Sequence, residues 1–105
     1  MAKLPNQFMS IRKRFSKYFK AVETVGKEAK AAGPLNAKTA HLIQLAAAAA
    51  IRSEGSVHSH TRRALECGAS RNEVEQAILL AVTTCGFPRT VAAWRWARND
   101  LDAGT

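Results

Sequence analysis

The stretch Asn36-Ala37-Lys38-Thr39-Ala40-His41-Leu42-Ile43-Gln44-Leu45-Ala46-Ala47-Ala48-Ala49-Ala50-Ile51 decides the fold. Asn36 is a strong N-cap, because its side-chain oxygen can accept a backbone N–H that the first helical turn leaves unpaired. Alanine has the highest helix propensity and a minimal side chain, so the run Ala46 to Ala50 favours helix and also lets other helices approach closely. Leu42, Ile43, Leu45 and Ile51 flank the run, which sets it apart from a low-complexity linker. The expectation is a central helix reaching about Ser53, with other helices around it.

Upstream, Phe8, Ile11, Phe15, Tyr18, Phe19, Val22 and Val25 recur at three- and four-residue steps, which lays one apolar stripe along a helix of about six turns. Gly33-Pro34 ends it, since glycine tolerates a C-terminal cap and proline cannot continue a helix. Downstream, Gly55-Ser56 breaks the alanine helix, and Ser56 is the expected cap of a third helix that runs through His60 and Leu65 to Glu66 and stops at Gly68. Ser70-Arg71-Asn72-Glu73 matches a capping box, in which the serine accepts from the N–H three residues on and the glutamate reaches back. It opens a fourth helix burying Val74, Ala77, Ile78, Ala81 and Val82 and ending at Gly86. Pro88 opens a fifth, which carries Val91, Trp94 and Trp96 and ends near Leu101. No segment alternates like a half-buried strand and no repeat is evident. The chain reads as one all-α domain over 1–105, with a basic N-terminal helix at about 6–32 and a core at about 35–102.

The 105 residues carry 16 Lys plus Arg against 8 Asp plus Glu, a net charge of +8. Of this, +6 falls within residues 1–32, where Lys3, Arg12, Lys13, Arg14, Lys17, Lys20, Lys27 and Lys30 face only Glu23 and Glu28. A basic end of this kind attracts anionic ligands, but a solvated helix face accounts for it, and the aromatics between the charges belong to the apolar stripe. Nucleic-acid binding is therefore the minority reading. Leu42 to Ile51, the longest apolar stretch, is interrupted by Gln44 and far short of the ~20 residues of a membrane span. Cys67 and Cys85 are too far apart for a metal or redox pair motif and read as small buried apolar residues. These features point to a cytoplasmic setting, without membrane, metal or other cofactor.

Chemistry concentrates at the second helix break, where His41, Glu54, His58 and His60 gather. His58 and His60 are two apart, hence about 200° apart around a helix, and cannot chelate one ion from that helix alone. Ser56 and His60 are four apart, the spacing at which side chains of adjacent turns meet, but no nucleophile elbow accompanies them.

The region Leu35 to Ser70, with its alanine-rich helix and the run Arg52-Ser53-Glu54-Gly55-Ser56-Val57-His58-Ser59-His60, resembles the carboxymuconolactone decarboxylase and alkylhydroperoxidase D-like superfamily. The likeness covers about residues 8–100, including the capped helix after Gly68 and the Gly86-Phe87-Pro88 turn. In redox members of that family a C-x-x-C pair lies at this break, a histidine follows the second cysteine by four, and a glutamate lies one helix earlier. By that resemblance the pair falls on Ser53 and Ser56, the histidine on His60 and the glutamate on His41. A serine hydroxyl neither forms a disulfide nor ionises near neutrality, so peroxide reduction by thiol chemistry has no nucleophile at these positions. His41 in the glutamate's place means that the site differs as a unit, not at the two cysteines alone.

The resemblance implies helical subunits that assemble as dimers and as hexamers built from three dimers. It also implies a small-molecule site, where His41 and His60 would act as acid and base on an anionic metabolite, with Ser53 and Ser56 in support and Glu54 and His58 holding the ligand. A non-catalytic binding or assembly protein on the same fold is the alternative.

Overall fold

The computed structural model describes residues 6–103, all of whose regular elements are helices. These are α1 (Asn6–Arg14), α2 (Ser16–Ala31), α3 (Ala37–Ala50), α4 (Glu54–Glu66), α5 (Arg71–Leu79), α6 (Val82–Cys85) and α7 (Phe87–Ala103). The chain forms two compact units, Met1–Pro34 and Leu35–Thr105, which meet in sequence at the expected Gly33-Pro34 stop. None of these helices is long and apolar enough to cross a membrane.

The first unit corrects the expected single basic helix. Phe15, at φ −124° and ψ 59°, leaves helical geometry and separates α1 from α2, although Phe15 N–H still bonds Ile11 O at 2.9 Å. In a straight helix Phe8 and Phe19 would lie about 16 Å apart along the axis. Here their rings meet edge to face with centroids 4.9 Å apart, so the break folds α1 against α2. No residue of α1 or α2 is buried. Tyr18 and Val25, expected in a buried stripe, are 64% and 68% exposed. The sequence period marks an apolar face correctly, but the single chain does not cover it.

In the second unit α3 is the hub, packed on α4, α5 and α7. Its inward stripe is His41, Leu45, Ala48 and Ala49, a 3.6-residue period of the kind that buries one face. Val57, Thr61 and Ala64 of α4, Val74, Ala77 and Ile78 of α5, and Thr90, Ala93, Ala97 and Leu101 of α7 close around it. Ala49, Ala64, Ala93 and Ala97 are fully buried, so helix backbones approach closely at small side chains. Leu45 and Ile78 are the largest fully buried aliphatics and each stabilises the fold by about 2 kcal/mol. Among the described residues, the buried Gln44 Oε1 and Thr61 Oγ1 have no hydrogen-bond partner.

The helix ends follow local chemistry with some shifts. Asn36 Oδ1 accepts from Thr39 N–H at 2.8 Å, as expected of the cap. The capping box is complete: Glu73 N–H donates to Ser70 Oγ at 3.0 Å and Ser70 N–H to Glu73 Oε1 at 2.9 Å. The alanine helix ends at Ala50, not near Ser53, and α4 begins at Glu54, two residues before the expected cap Ser56. Ser53 takes the N-cap position of α4 without a side-chain bond. The expected fourth helix divides into α5 and α6, because Ala81 N–H bonds Ile78 O, three residues back, and tightens the turn while Leu80 and Ala81 stay right-handed. The last helix runs past Leu101 to Ala103, with Pro88 in its first turn and Trp94 Nε1–H bonded to Glu75 at 2.8 Å.

Candidate functional site

His41 lies on the inward stripe of α3, one turn before Leu45. On α4, His60 falls three residues after Val57 and four before Ala64, at the edge of the buried stripe Val57, Thr61 and Ala64. Packing α3 against α4 therefore brings the two imidazoles together. Their Nδ1 atoms are 3.3 Å apart, with ring centroids at 5.5 Å and planes tilted by 35°. A contact between two Nδ1 atoms is a hydrogen bond only when one carries a proton and the other a lone pair, so the geometry calls for unlike tautomers. His41 is 6% exposed, whereas His60 is half-buried and nearer solvent.

His58 turns away from this pair, as its two-residue offset from His60 requires. Its Nδ1 lies 2.6 Å from Asp100 Oδ2 of α7 and its Nε2 3.3 Å from Glu54 Oε2. Arg62 Nη1 approaches the other Asp100 oxygen at 3.4 Å. His58 is half-buried and ties α4 to α7. Glu54 serves this second cluster. Ser56, in the first turn of α4, is half-buried and makes no side-chain hydrogen bond among the described residues, so its spacing to His60 produces no serine–histidine pair.

Among the described residues, no group of three or more His, Cys, Asp or Glu side chains could hold a metal ion. Cys67 and Cys85 are both free. Cys67, expected to be buried, is exposed at the C-cap of α4.

Sequence reasoning missed Asp100 and Arg62. The signal for Asp100 was present: Thr90, Ala93, Ala97 and Leu101 form the buried stripe of α7, and an acid beside Leu101 stands at its edge and needs a partner.

The family model for the carboxymuconolactone decarboxylase family matches residues 16–99. The chain belongs to this family. It is similar to lpg0406, a carboxymuconolactone decarboxylase family protein from Legionella pneumophila whose apo crystal structure superposes with a TM-score of 0.80. The two are 25% identical, over 92% of this chain and 86% of that one. It is also similar to the uncharacterized protein MJ1511 of Methanocaldococcus jannaschii, at 26% identity over 83 residues, covering 79% of this chain and 78% of that protein. Family membership agrees with the hub helix and its flanking helices, and this member carries His41 on α3, Ser53 at the N-cap of α4, and Ser56 and His60 within α4.

Proposed function

We propose that this carboxymuconolactone decarboxylase-like protein works by proton transfer on a small anionic metabolite, with His41 and His60 as the acid and base. The observation that carries this reading is the 3.3 Å approach of the two Nδ1 atoms. Two imidazolium rings at that separation would repel, so the pair holds one proton between the nitrogens and can pass it on. His60, nearer solvent, exchanges one proton with the ligand, and the buried His41 gives or takes the proton that His60 shares with it across the Nδ1 contact. In this reading Ser53, at the N-cap of α4, and Ser56, in its first turn, supply hydrogen-bonding groups for the ligand. Glu54 and His58, joined to each other, act at the rim. Thiol peroxidase chemistry is set aside because these two serines stand where the family's redox members have cysteines.

The test is decarboxylation of carboxymuconolactone, the acid in the family's name, by the purified full chain at neutral pH. His60→Gln and His41→Gln are each expected to lower kcat by about a hundredfold or more, and Ser53→Ala and Ser56→Ala to raise KM by a factor of a few. Turnover by both histidine variants at the parent rate overturns the reading.

A second element of the proposal is assembly. Tyr18, Val22 and Val25 on α2, and Leu79, Leu80 and Phe87 around α6, are all at least half exposed in the single chain. Apolar faces of this kind are covered in self-association, and the proposed state is a hexamer made as a trimer of dimers. If the apolar faces were the protein's whole purpose, the chain would be a binding or assembly module without catalysis. The histidine substitutions would then change nothing but stability.

A further inference from the structure

We propose that the second unit carries a separate oxyanion-binding groove between the α3–α4 turn and the outer face of α7. Arg52, Arg95, Trp96, Arg98, Asn99 and Asp102 line a concave space of about 420 Å³. None of the three histidines takes part, so the groove is independent of the acid/base reading.

Three observations assign it. First, its charges are uncompensated. Arg62 and Arg71 of the same unit have carboxylate partners, Asp100 at 3.4 Å and Asp102 at 2.8 Å. Arg52, Arg95 and Arg98 have none among the described residues. The lone acid of the lining, Asp102, is already engaged by Arg71. Second, the groove is rich in donors: three guanidinium forks, the Asn99 amide and the indole N–H of Trp96, while Arg98 is held over the Trp94 ring with its centre 4.7 Å from the centroid. Third, Arg52 is placed against local backbone preference. Helix α4 closes with Ala69 N–H on Ala64 O and Gly68 N–H on Leu65 O, and Gly68 takes φ +95°. Helix α3 closes with the same pair of bonds, Ser53 N–H on Ala48 O and Arg52 N–H on Ala49 O, but with Arg52 at φ 56°. This is a glycine position, and an arginine there adds Arg52 to the lining of the groove at the expense of backbone ease.

The ligand class follows from the lining. Guanidinium groups bind carboxylate and phosphate oxygens in pairs, and three of them fit a group with two or more negative charges. The volume falls within the range of small-molecule sites. The groove therefore takes a compact oxyanion, a phosphate monoester or a di- or tricarboxylate.

Calorimetric titration of the full chain with inorganic phosphate, glycerol 3-phosphate, succinate and citrate tests this, with the Trp96 indole N–H followed by NMR. The expected result is saturable binding of one ligand per chain below about 20 mM, with a shift of the Trp96 resonance. Arg95→Gln and Arg98→Gln each weaken it about tenfold, Arg95→Lys weakens it less than Arg95→Gln, and Lys13→Gln on α1 leaves it within about twofold. Preference for the phosphate or the carboxylate probes identifies the source. Absence of saturable binding overturns the proposal, as does equal weakening by Lys13→Gln. Tighter binding of a single-stranded oligonucleotide through the same arginines overturns it in favour of nucleic acid. A change of sedimentation on Arg95→Gln overturns it in favour of a contact between copies.

Discussion

Arg52 and Gly68 occupy equivalent places at the ends of α3 and α4, yet only one of them is a residue suited to a left-handed backbone. Arg52→Gly should therefore stabilise the second unit by about 1 kcal/mol in denaturant unfolding. The same change should weaken oxyanion binding, a trade that a purely structural arginine would not show. At the same scale, the legible residues were those on a stripe. His41 falls one turn before Leu45 on the buried stripe of α3, so its inward placement follows from period, while His60 sits at the edge of the α4 stripe beside the buried Thr61, and the resemblance named the same two. The partner of His58 was not legible, because Asp100 lies 42 residues away and only the packing of α7 on α4 brings it near.

At the scale of the element, cap chemistry was the most readable feature. Ser70→Ala removes the acceptor for Glu73 N–H and should cost about 1 kcal/mol, read as a lower denaturant midpoint. The carboxyl of Glu73 is held below its ordinary value of 4.5, first by the Ser70 backbone N–H and then by the Lys38 ammonium at 3.0 Å. The unfolded chain thus binds this proton more tightly than the folded one. The stabilisation is fully present above about pH 5 and is lost as pH falls through the lowered folded value. Denaturant midpoints of Glu73→Gln should fall less steeply below that pH than those of the parent. Helix breaks were less readable where no glycine or proline marks them. Phe15 breaks the basic helix for the sake of the Phe8–Phe19 contact, and the Ile78–Ala81 turn divides α5 from α6 among good helix formers. Both depend on what the neighbouring turn packs against, which local propensity does not encode.

For the whole molecule, the decisive quantity is apolar surface. The core around α3 is well filled, and Leu45→Ala should cost roughly 2–5 kcal/mol by leaving a cavity at the hub. The stripe on α2 is not covered, with Tyr18, Val22 and Val25 all at least half exposed. Sedimentation should give a multiple of that mass, and Val22→Glu with Val25→Glu should shift it toward the monomer. A parent chain that sediments at 11.4 kDa would contradict the assembly reading. The helical class and the helix stop at Gly33-Pro34 were visible in the sequence, since each follows from local pattern, whereas the division into two compact units there was not, the chain reading as one domain. The exposure of the aromatic stripe was not, because period identifies an apolar face but not what lies against it.

A single proton shared between two imidazoles is the core of the proposed chemistry, and nitrogen-15 NMR of the histidine rings in the parent and in His41→Gln reads it directly. Unlike tautomers are predicted, with one Nδ1 resonance of a protonated nitrogen and one of a bare nitrogen, and the His60 Nδ1 resonance moves when His41 is replaced. Two protonated Nδ1 atoms, with His60 indifferent to the loss of His41, would contradict the claim that the pair acts as acid and base.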